Sequence, residues 1–390
     1  MKLDRKLKMG MVGGGPGAFI GDVHRKAVRL DGGIDIVAGA FSRDPEKSRE
    51  TGNELFLDEN RIYGSYQEMV EGEKQLPEGE RIDFVSIVTT NDWHFAVAKA
   101  FLEAGFHVVC DKPMTMTVDE ARQLVGIVKQ SGKLFALTHN YTGYPMVKLA
   151  RDIVRQGDLG KIRKIVVQYP QGWLYKALER TGDKQASWRT NPEQSGASGC
   201  MGDIGTHAEN LAEYITGLKI THICADLTTF VEGRRLEDDG NCLLKFETGA
   251  KGILHASQIA MGDENNLAIW VYGEKKGLEW RQENPNYLYI REQDGPSIVW
   301  RRGNDYIDEK SPAAGRASRL PFGHPEAFIE AFANIYCNFA DTLRARLAGE
   351  KPDPLALDFP DVDDGLRGMI FIETVLESAK SEQKWTPMKA

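Results

Sequence analysis

The run Gly13-Gly14-Gly15-Pro16-Gly17-Ala18, directly after the apolar stretch Met9-Gly10-Met11-Val12, constrains this chain more than any other feature. A buried strand that breaks at once into a glycine turn brings bare backbone against a pyrophosphate. In this G-x-G-x-x-A pattern Gly13 makes the turn and Gly15 lets the backbone approach the phosphates. Ala18 lets the next helix pack tightly on the strand. The phosphate charge then sits at the N-terminus of that helix, where unpaired N–H groups and the helix dipole favour an anion. Glycine turns are common, so the pattern takes its weight from the strand signal that starts at Leu7. The residues expected at a dinucleotide are Gly13, Gly15, Gly17 and Ala18, then Phe19 and Ile20 at the start of the helix.

Composition narrows the class. A chain of 390 residues is too long for one compact core and suggests two domains. Its 41% hydrophobic and 27% charged residues are those of a globular protein, and its net charge of -8 argues against nucleic acid as a partner. The five cysteines, Cys110, Cys200, Cys224, Cys242 and Cys337, are widely spaced and form no CxxC pair. That spacing suggests neither a disulfide frame nor a metal site. With no long apolar segment and no signal-peptide pattern, neither a membrane nor export is expected, and a cytoplasmic location is the default.

The first third of the chain alternates short apolar runs with amphipathic stretches. Strands are expected at 34–41, 84–88, 108–110 and 134–137, with helices at 96–104 and 118–129 between them. Thr117-Val118-Asp119-Glu120 has capping-box spacing at the start of the second helix. Continuous apolar strands separated by helices read as a parallel sheet covered on both faces, with ligands outside the carboxyl ends of the strands. After about residue 140 a helix over 146–156 is followed mainly by strands, at 165–169, 226–231, 242–246, 252–257, 267–272, 277–281, 287–291 and 297–301. Short turns between several of them predict a mostly antiparallel sheet. Helices over 326–347 and 362–379 close the chain. The expected fold is therefore α/β, with a Rossmann dinucleotide-binding domain over 1–140. A second α/β domain with a large, mostly antiparallel open sheet, for substrate binding and oligomerisation, is expected over 141–390.

Three polar segments fall at strand ends or in loops. They are Thr89-Thr90-Asn91-Asp92-Trp93-His94, Cys110-Asp111-Lys112-Pro113 and Gly199-Cys200-Met201-Gly202-Asp203-Ile204-Gly205-Thr206-His207. Asp203 and His207 are four apart, which on a helix places both side chains on one face. A lysine at a sheet's ligand edge with an Asp/His pair suits alcohol oxidation. One group takes the hydroxyl proton while hydride leaves for a nicotinamide.

Together, in this order and spacing, these segments resemble the Gfo/Idh/MocA family, the glucose-fructose oxidoreductase and inositol dehydrogenase family. The resemblance spans essentially the whole chain. It implies NAD(H) or NADP(H) as cofactor and a sugar, inositol or related polyol as substrate. It also implies a homodimer or homotetramer formed through the open sheet face. By resemblance Lys112 is the catalytic lysine, while Asp203 and His207 bind substrate and assist proton transfer. Thr90, Asn91, His94, Asp111 and Lys112 join the cofactor contacts. Tyr141, Gln168, Trp173 and Arg189 join Lys112, Asp203 and His207 as substrate contacts, with no metal required. The chain departs from the family pattern at Asp111, where a Glu is usual, and at Thr90, where a Pro is usual. Neither departure touches the groups expected to do chemistry. The segments at 19–25, 138–145, 171–174 and 188–190 look like a subgroup that includes inositol and sugar dehydrogenases.

Several of these residues also have plainer readings. Asp203 can cap the helix it opens, and His207 can bond a backbone carbonyl. His94 can simply hold its loop, and Trp173, Trp188 and Tyr144 can be core. Cofactor choice rests on the end of the second strand, where an Asp or Glu would bond the ribose 2′-hydroxyl and select NAD. Here Ser42 occupies that position and Arg43 follows, which leans toward NADP because Arg43 can pair with a 2′-phosphate. Two rivals share the scaffold. One is a glycoside-processing enzyme that oxidises its sugar only transiently. The other is a dinucleotide-sensing regulator without chemistry, which would have no need of Lys112, Asp203 and His207 together.

Overall fold

A computed structural model describes residues 5–389. The chain divides into two units. One comprises the residues up to Thr138 together with Phe332–Leu366; the other comprises His139–Ala331 together with the residues from Arg367 onward.

The first unit holds strands β1 (Leu7–Gly13), β2 (Ile34–Ala40), β3 (Phe84–Val88), β4 (His107–Cys110) and β5 (Phe135–Leu137) in one sheet of order β2-β1-β3-β4-β5. Every pairing is parallel. All five residues of β3 are buried, as a strand with both faces covered requires. Helices α1 (Phe19–Leu30), α2 (Pro45–Glu54), α3 (Tyr66–Gln75), α4 (Asn91–Glu103) and α5 (Val118–Ser131) connect the strands. α5 shows how the local sequence sets an element. Thr117 accepts from the Glu120 N–H at its start, and Gly132 closes it at φ 65°. α4 begins at Asn91, five residues before its apolar pattern suggested, so Asn91 and His94 are helical and not in a loop.

Residues after 140 were all expected in one domain, yet Phe332–Leu366 groups with the first unit. Aromatic packing supplies the reason. Phe339 and Tyr336 lie against Phe84 of β3, with ring centroids 5.1 and 6.4 Å apart. Tyr336 also bonds His24 of α1 at 2.7 Å and Ser86 of β3 at 2.8 Å. The Pro360 carbonyl accepts from the Leu137 N–H, extending the backbone bonding of β5.

The second unit contains α6 (Pro145–Arg155), β6 (Ile162–Pro170), α7 (Lys184–Arg189), α8 (Pro192–Ser195), a π-helical turn (Met201–Gly205) and α9 (Thr206–Thr216). Then come β7 (Ile220–Thr228), β8 (Asp239–Phe246), β9 (Lys251–Ser257), β10 (Ala268–Gly273), β11 (Gly277–Arg281), β12 (Tyr287–Arg291) and β13 (Ile298–Arg301), followed by α10 (Asp305–Lys310) and α11 (Pro312–Arg316). The helices α12 (Phe328–Leu347) and α13 (Val362–Lys380) each cross a unit boundary, and β14 (Thr386–Pro387) ends the described chain. The nine strands run β13-β12-β11-β10-β6-β9-β8-β7-β14. Neighbours are antiparallel except β6 and β9. Burial alternates along β8 and β9, as expected for a sheet with one covered face. α6 and α9 pack on that covered face. One expected strand, 226–231, is displaced: β7 starts six residues earlier, at Ile220. Among the described residues no helix is long and apolar enough to cross a membrane.

Candidate active site

In the first unit the polar segments stand at the carboxyl ends of the strands. The turn after β1 takes φ values of 88° at Gly13, 77° at Gly14 and 72° at Gly17, a region that strains any residue with a Cβ. A Cβ at Gly13 would stand 2.8 Å from the Val88 carbonyl group and the Thr89 nitrogen. Gly15 differs from its expected role. Its N–H donates to the Phe41 carbonyl at 3.0 Å, and a Cβ there would meet that oxygen at 2.8 Å. Glycine at 15 is therefore needed first to fit the turn against the end of β2. The close helix-on-turn contact expected of Ala18 belongs to Gly21, whose Cβ would collide with the Gly14 Cα. Arg25 donates to the Gly14 carbonyl at 2.7 Å and fixes the turn from α1. Ala18 is the N-cap of α1 and supplies no side-chain bond to its first N–H groups. Phe19 is 59% exposed beside them. Bare glycine backbone running into an uncapped helix start fits the pyrophosphate of a dinucleotide.

At the end of β2 the Ser42 hydroxyl accepts from the Asp44 N–H at 3.1 Å. The Asp44 carboxylate caps α2 by accepting from Glu46 and Lys47. The exposed Arg43 guanidinium lies 5.6 Å from the centre of the Trp93 ring. Thr90 is the N-cap of α4, with its hydroxyl donating to Asp92 at 2.5 Å, and Asn91 is buried in the first turn. His94 is not placed as a ligand contact. It is buried, with Nδ1 2.7 Å from the Pro113 carbonyl and Nε2 3.3 Å from the Thr89 carbonyl. Burial is the largest cause pushing its pKa down, so the ring is neutral, and its single N–H belongs on the shorter bond. His94 thus braces the segment that carries Lys112. Asp111 accepts from the Thr138 hydroxyl at 2.6 Å, bracing the other side. Lys112 is half-buried between them and precedes a cis proline, Pro113.

In the second unit Asp203 lies on the π-helical turn and His207 in the first turn of α9. Such turns recur at functional sites because they re-aim side chains within a helix. The Glu237 carboxylate secures the start of this segment, accepting from the Ser198 hydroxyl and from the Gly199 and Met201 N–H groups at 2.8 and 3.2 Å. One Asp203 oxygen accepts from the Gln258 amide at 2.8 Å and pairs with Arg189 at 3.4 Å. The Arg189 guanidinium lies over the rings of Trp188 and Trp173, 4.3 and 5.8 Å from their centres. His207 is buried, with its Nδ1 3.5 Å from that of His139, and its ring meets Tyr141 edge-on at 4.8 Å. The Tyr141 and Tyr169 hydroxyls bond each other, and Tyr169 donates to Asn265 at 2.6 Å. Gln171 donates to the same Asn265 oxygen at 2.7 Å, and Trp173 donates to Gln171 at 3.1 Å. Burial pushes the Tyr141 phenol up to about 12 and the Tyr169 phenol well up, so both stay protonated.

Asp203, His207, Tyr141, Trp173 and Arg189 are thus brought into one cluster, but Gln168 is not. Tyr169 points to the side of His207, and successive side chains on a strand point to opposite faces. Gln168 therefore faces away, in register with His255 and Ala268. The apolar residues Ile165, Val167 and Tyr169 at alternate positions are the available signal, and the observed burial of all three follows it to Tyr169. Nothing in the local sequence marks Gln258 or Glu237, while Gly21 and Arg25 lie in the 19–25 segment noted above without a role assigned to them.

A parallel sheet with a glycine turn at an uncapped helix, and a second unit built on a large open sheet, define an oxidoreductase with an NAD-binding Rossmann fold. Residues 7–139 match the oxidoreductase family with that fold, and residues 147–279 match its GFO/IDH/MocA C-terminal domain. The chain belongs to the Gfo/Idh/MocA oxidoreductase family. It is 33% identical over 99% of its length to an uncharacterized oxidoreductase, YfiI, of Bacillus subtilis (strain 168), covering 98% of that protein. Among solved structures it resembles an oxidoreductase from Sinorhizobium meliloti, with 43% identity, 98% and 99% of the two chains covered and a TM-score of 0.86. It also resembles an inositol dehydrogenase homolog from Azotobacter vinelandii complexed with NADH and myo-inositol. There the identity is 34%, with 98% of each chain covered and a TM-score of 0.90.

Proposed function

We propose that this protein is a dehydrogenase of cyclic polyols or sugars, oxidising one ring hydroxyl with NAD or NADP. The full-length likeness to a homolog whose structure holds both NADH and myo-inositol carries the reading. In the oxidative direction Lys112 accepts the hydroxyl proton, directly or through His207. Asp203 orients the sugar and balances the positive charge that the proton brings. Arg189, Trp173 and Tyr141 extend the sugar contact from the cluster around Asp203 and His207. Bound NAD supplies the hydride acceptor. Gly13, Gly15, Gly17 and Ala18, with the N–H groups of Phe19 and Ile20, hold its pyrophosphate. Thr90, Asn91 and Asp111 complete the contacts at the ends of β3 and β4, and His94 acts behind them through Pro113.

The end of β2 supports use of both cofactors. Ser42 brings no charge, the Asp44 carboxylate is occupied in capping α2, and Arg43 is exposed. A 2′-phosphate therefore meets no unoccupied acid there and has a cation at hand. The test is a screen of inositols, aldoses and anhydro-sugars with NAD and NADP, read at the nicotinamide absorbance. Cofactor reduction with at least one member is expected. No turnover across the panel, in either direction, refutes the reading.

A further inference from the structure

We propose that Gln258 is a positioning residue for this reaction, holding the Asp203 carboxylate in the orientation in which it meets substrate. The proposal rests on the reading of Asp203 given above. Gln258 follows β9 directly and is only 3% exposed. Its side-chain N–H donates to an Asp203 oxygen at 2.8 Å. Its backbone is fixed in two further directions. The N–H donates to the Asp238 carbonyl at 2.8 Å, and the carbonyl accepts from the Leu174 N–H at 3.0 Å. Those partners are joined in turn, because Arg234 donates to the Leu174 carbonyl at 3.0 Å and to the Asp238 carboxylate at 3.1 Å. The residue therefore sits at the crossing of three segments, one of which carries Trp173. Its amide has little freedom to turn away from Asp203.

The choice of an amide has a chemical consequence. A neutral donor orients a carboxylate without cancelling its charge, and a hydrogen bond to the ionised form favours that form. Within the second unit the charged and titratable groups that meet Asp203 include Arg189, which pairs with the same oxygen, and Tyr141 and Tyr169, which both feel its charge. His207 follows one turn later. The tyrosines stay neutral, so Arg189 supplies charge while Gln258 supplies direction. Losing a hydrogen bond to a charged group is expected to cost about 10-fold or more in the affected step.

The experiment compares Gln258→Leu, Gln258→Glu and Asp203→Asn in the full chain. The substrate is myo-inositol, or whichever member of the panel above is turned over fastest. Gln258→Leu is expected to raise the polyol KM by about 10-fold or more and to leave the NAD KM within about two-fold. Gln258→Glu keeps the size of the side chain but sets a second carboxylate against Asp203. Its kcat/KM, taken as a ratio to wild type at the same pH, is expected to fall with rising pH and to recover in acid, where the added carboxyl is protonated and can donate. A wild-type pH profile in Gln258→Glu, with Asp203→Asn impaired, overturns the positioning role even if Gln258→Leu fails to fold. Wild-type kcat/KM in Asp203→Asn overturns the underlying reading instead, and the Gln258 proposal falls with it.

Discussion

Acid is expected to destabilise the first unit in part through the buried imidazole of His107. The residue opens β4 and is 8% exposed. Its Nδ1 accepts the Leu134 N–H at 2.8 Å, so this nitrogen carries no proton in the fold. Burial, followed by the positive charges of Lys133 and Arg346, pushes its pKa down to about 3. An unfolded histidine titrates near 6.5, so the unfolded chain binds the extra proton first as pH falls. The stabilisation is fully present above about pH 6.5 and is lost progressively as pH drops toward 3. Each unit in that window costs about 1.4 kcal/mol, so going from pH 7 to pH 5 removes about 2 kcal/mol. The assay is urea unfolding at both pH values for wild type and His107→Gln, which keeps an acceptor but does not titrate. The stability drop between pH 7 and pH 5 should be about 2 kcal/mol smaller in the variant. His24, whose pKa burial pushes down to about 4, is present in both proteins and cancels. Equal drops in the two proteins would refute the reasoning, because the Leu134 contact would then survive protonation.

Lys112→Ala is expected to lower kcat by about 10²-fold or more while calorimetric NAD affinity is kept, since the glycine turn lies elsewhere on the sheet edge; near-wild-type turnover would remove its catalytic role. Ser42→Asp should shift the ratio of kcat/KM values toward NAD, because a carboxylate there repels a 2′-phosphate and accepts from ribose hydroxyls. An unchanged ratio would move the cofactor-selecting position away from the end of β2. Phe56 is 95% exposed at φ 57°, in the place after α2 where glycine normally closes a helix. Leu57 and Phe56 donate to the Gly52 and Asn53 carbonyls in the matching pattern. Phe56→Gly should therefore raise stability by about 1 kcal/mol in urea unfolding, and a loss of stability would show that the aromatic ring contributes more than the backbone strain costs.

Much of the first unit was legible because its signals are local. A buried run such as Phe84–Val88 matches the strand residue for residue, and Thr117 and Gly132 bound α5 by capping chemistry that acts within one turn. Boundaries failed where a local pattern had a competitor. The first turn of α4 is polar, so its apolar periodicity begins only after Asn91 and His94. β7 is half-buried along most of its length, so its apolar signal is weak and the expected strand was placed too late. In the site, Gln168 is the expected contact, whereas alternation along β6 points to Tyr169.

By itself the sequence determined the glycine turn, the parallel sheet after it, the order of the polar segments and the Asp203–His207 spacing. Each of these depends on neighbours within a few residues. Only the tertiary structure decided that Phe332–Leu366 completes the first unit and that Gly15 fits against the Phe41 carbonyl. It also decided that His94 spends its ring on Pro113 and that Gln258 reaches Asp203. These contacts join residues from 19 to 250 or more positions apart. Their partners are chosen by packing and by the need of buried polar groups for a bond, and neither leaves a mark in the local pattern.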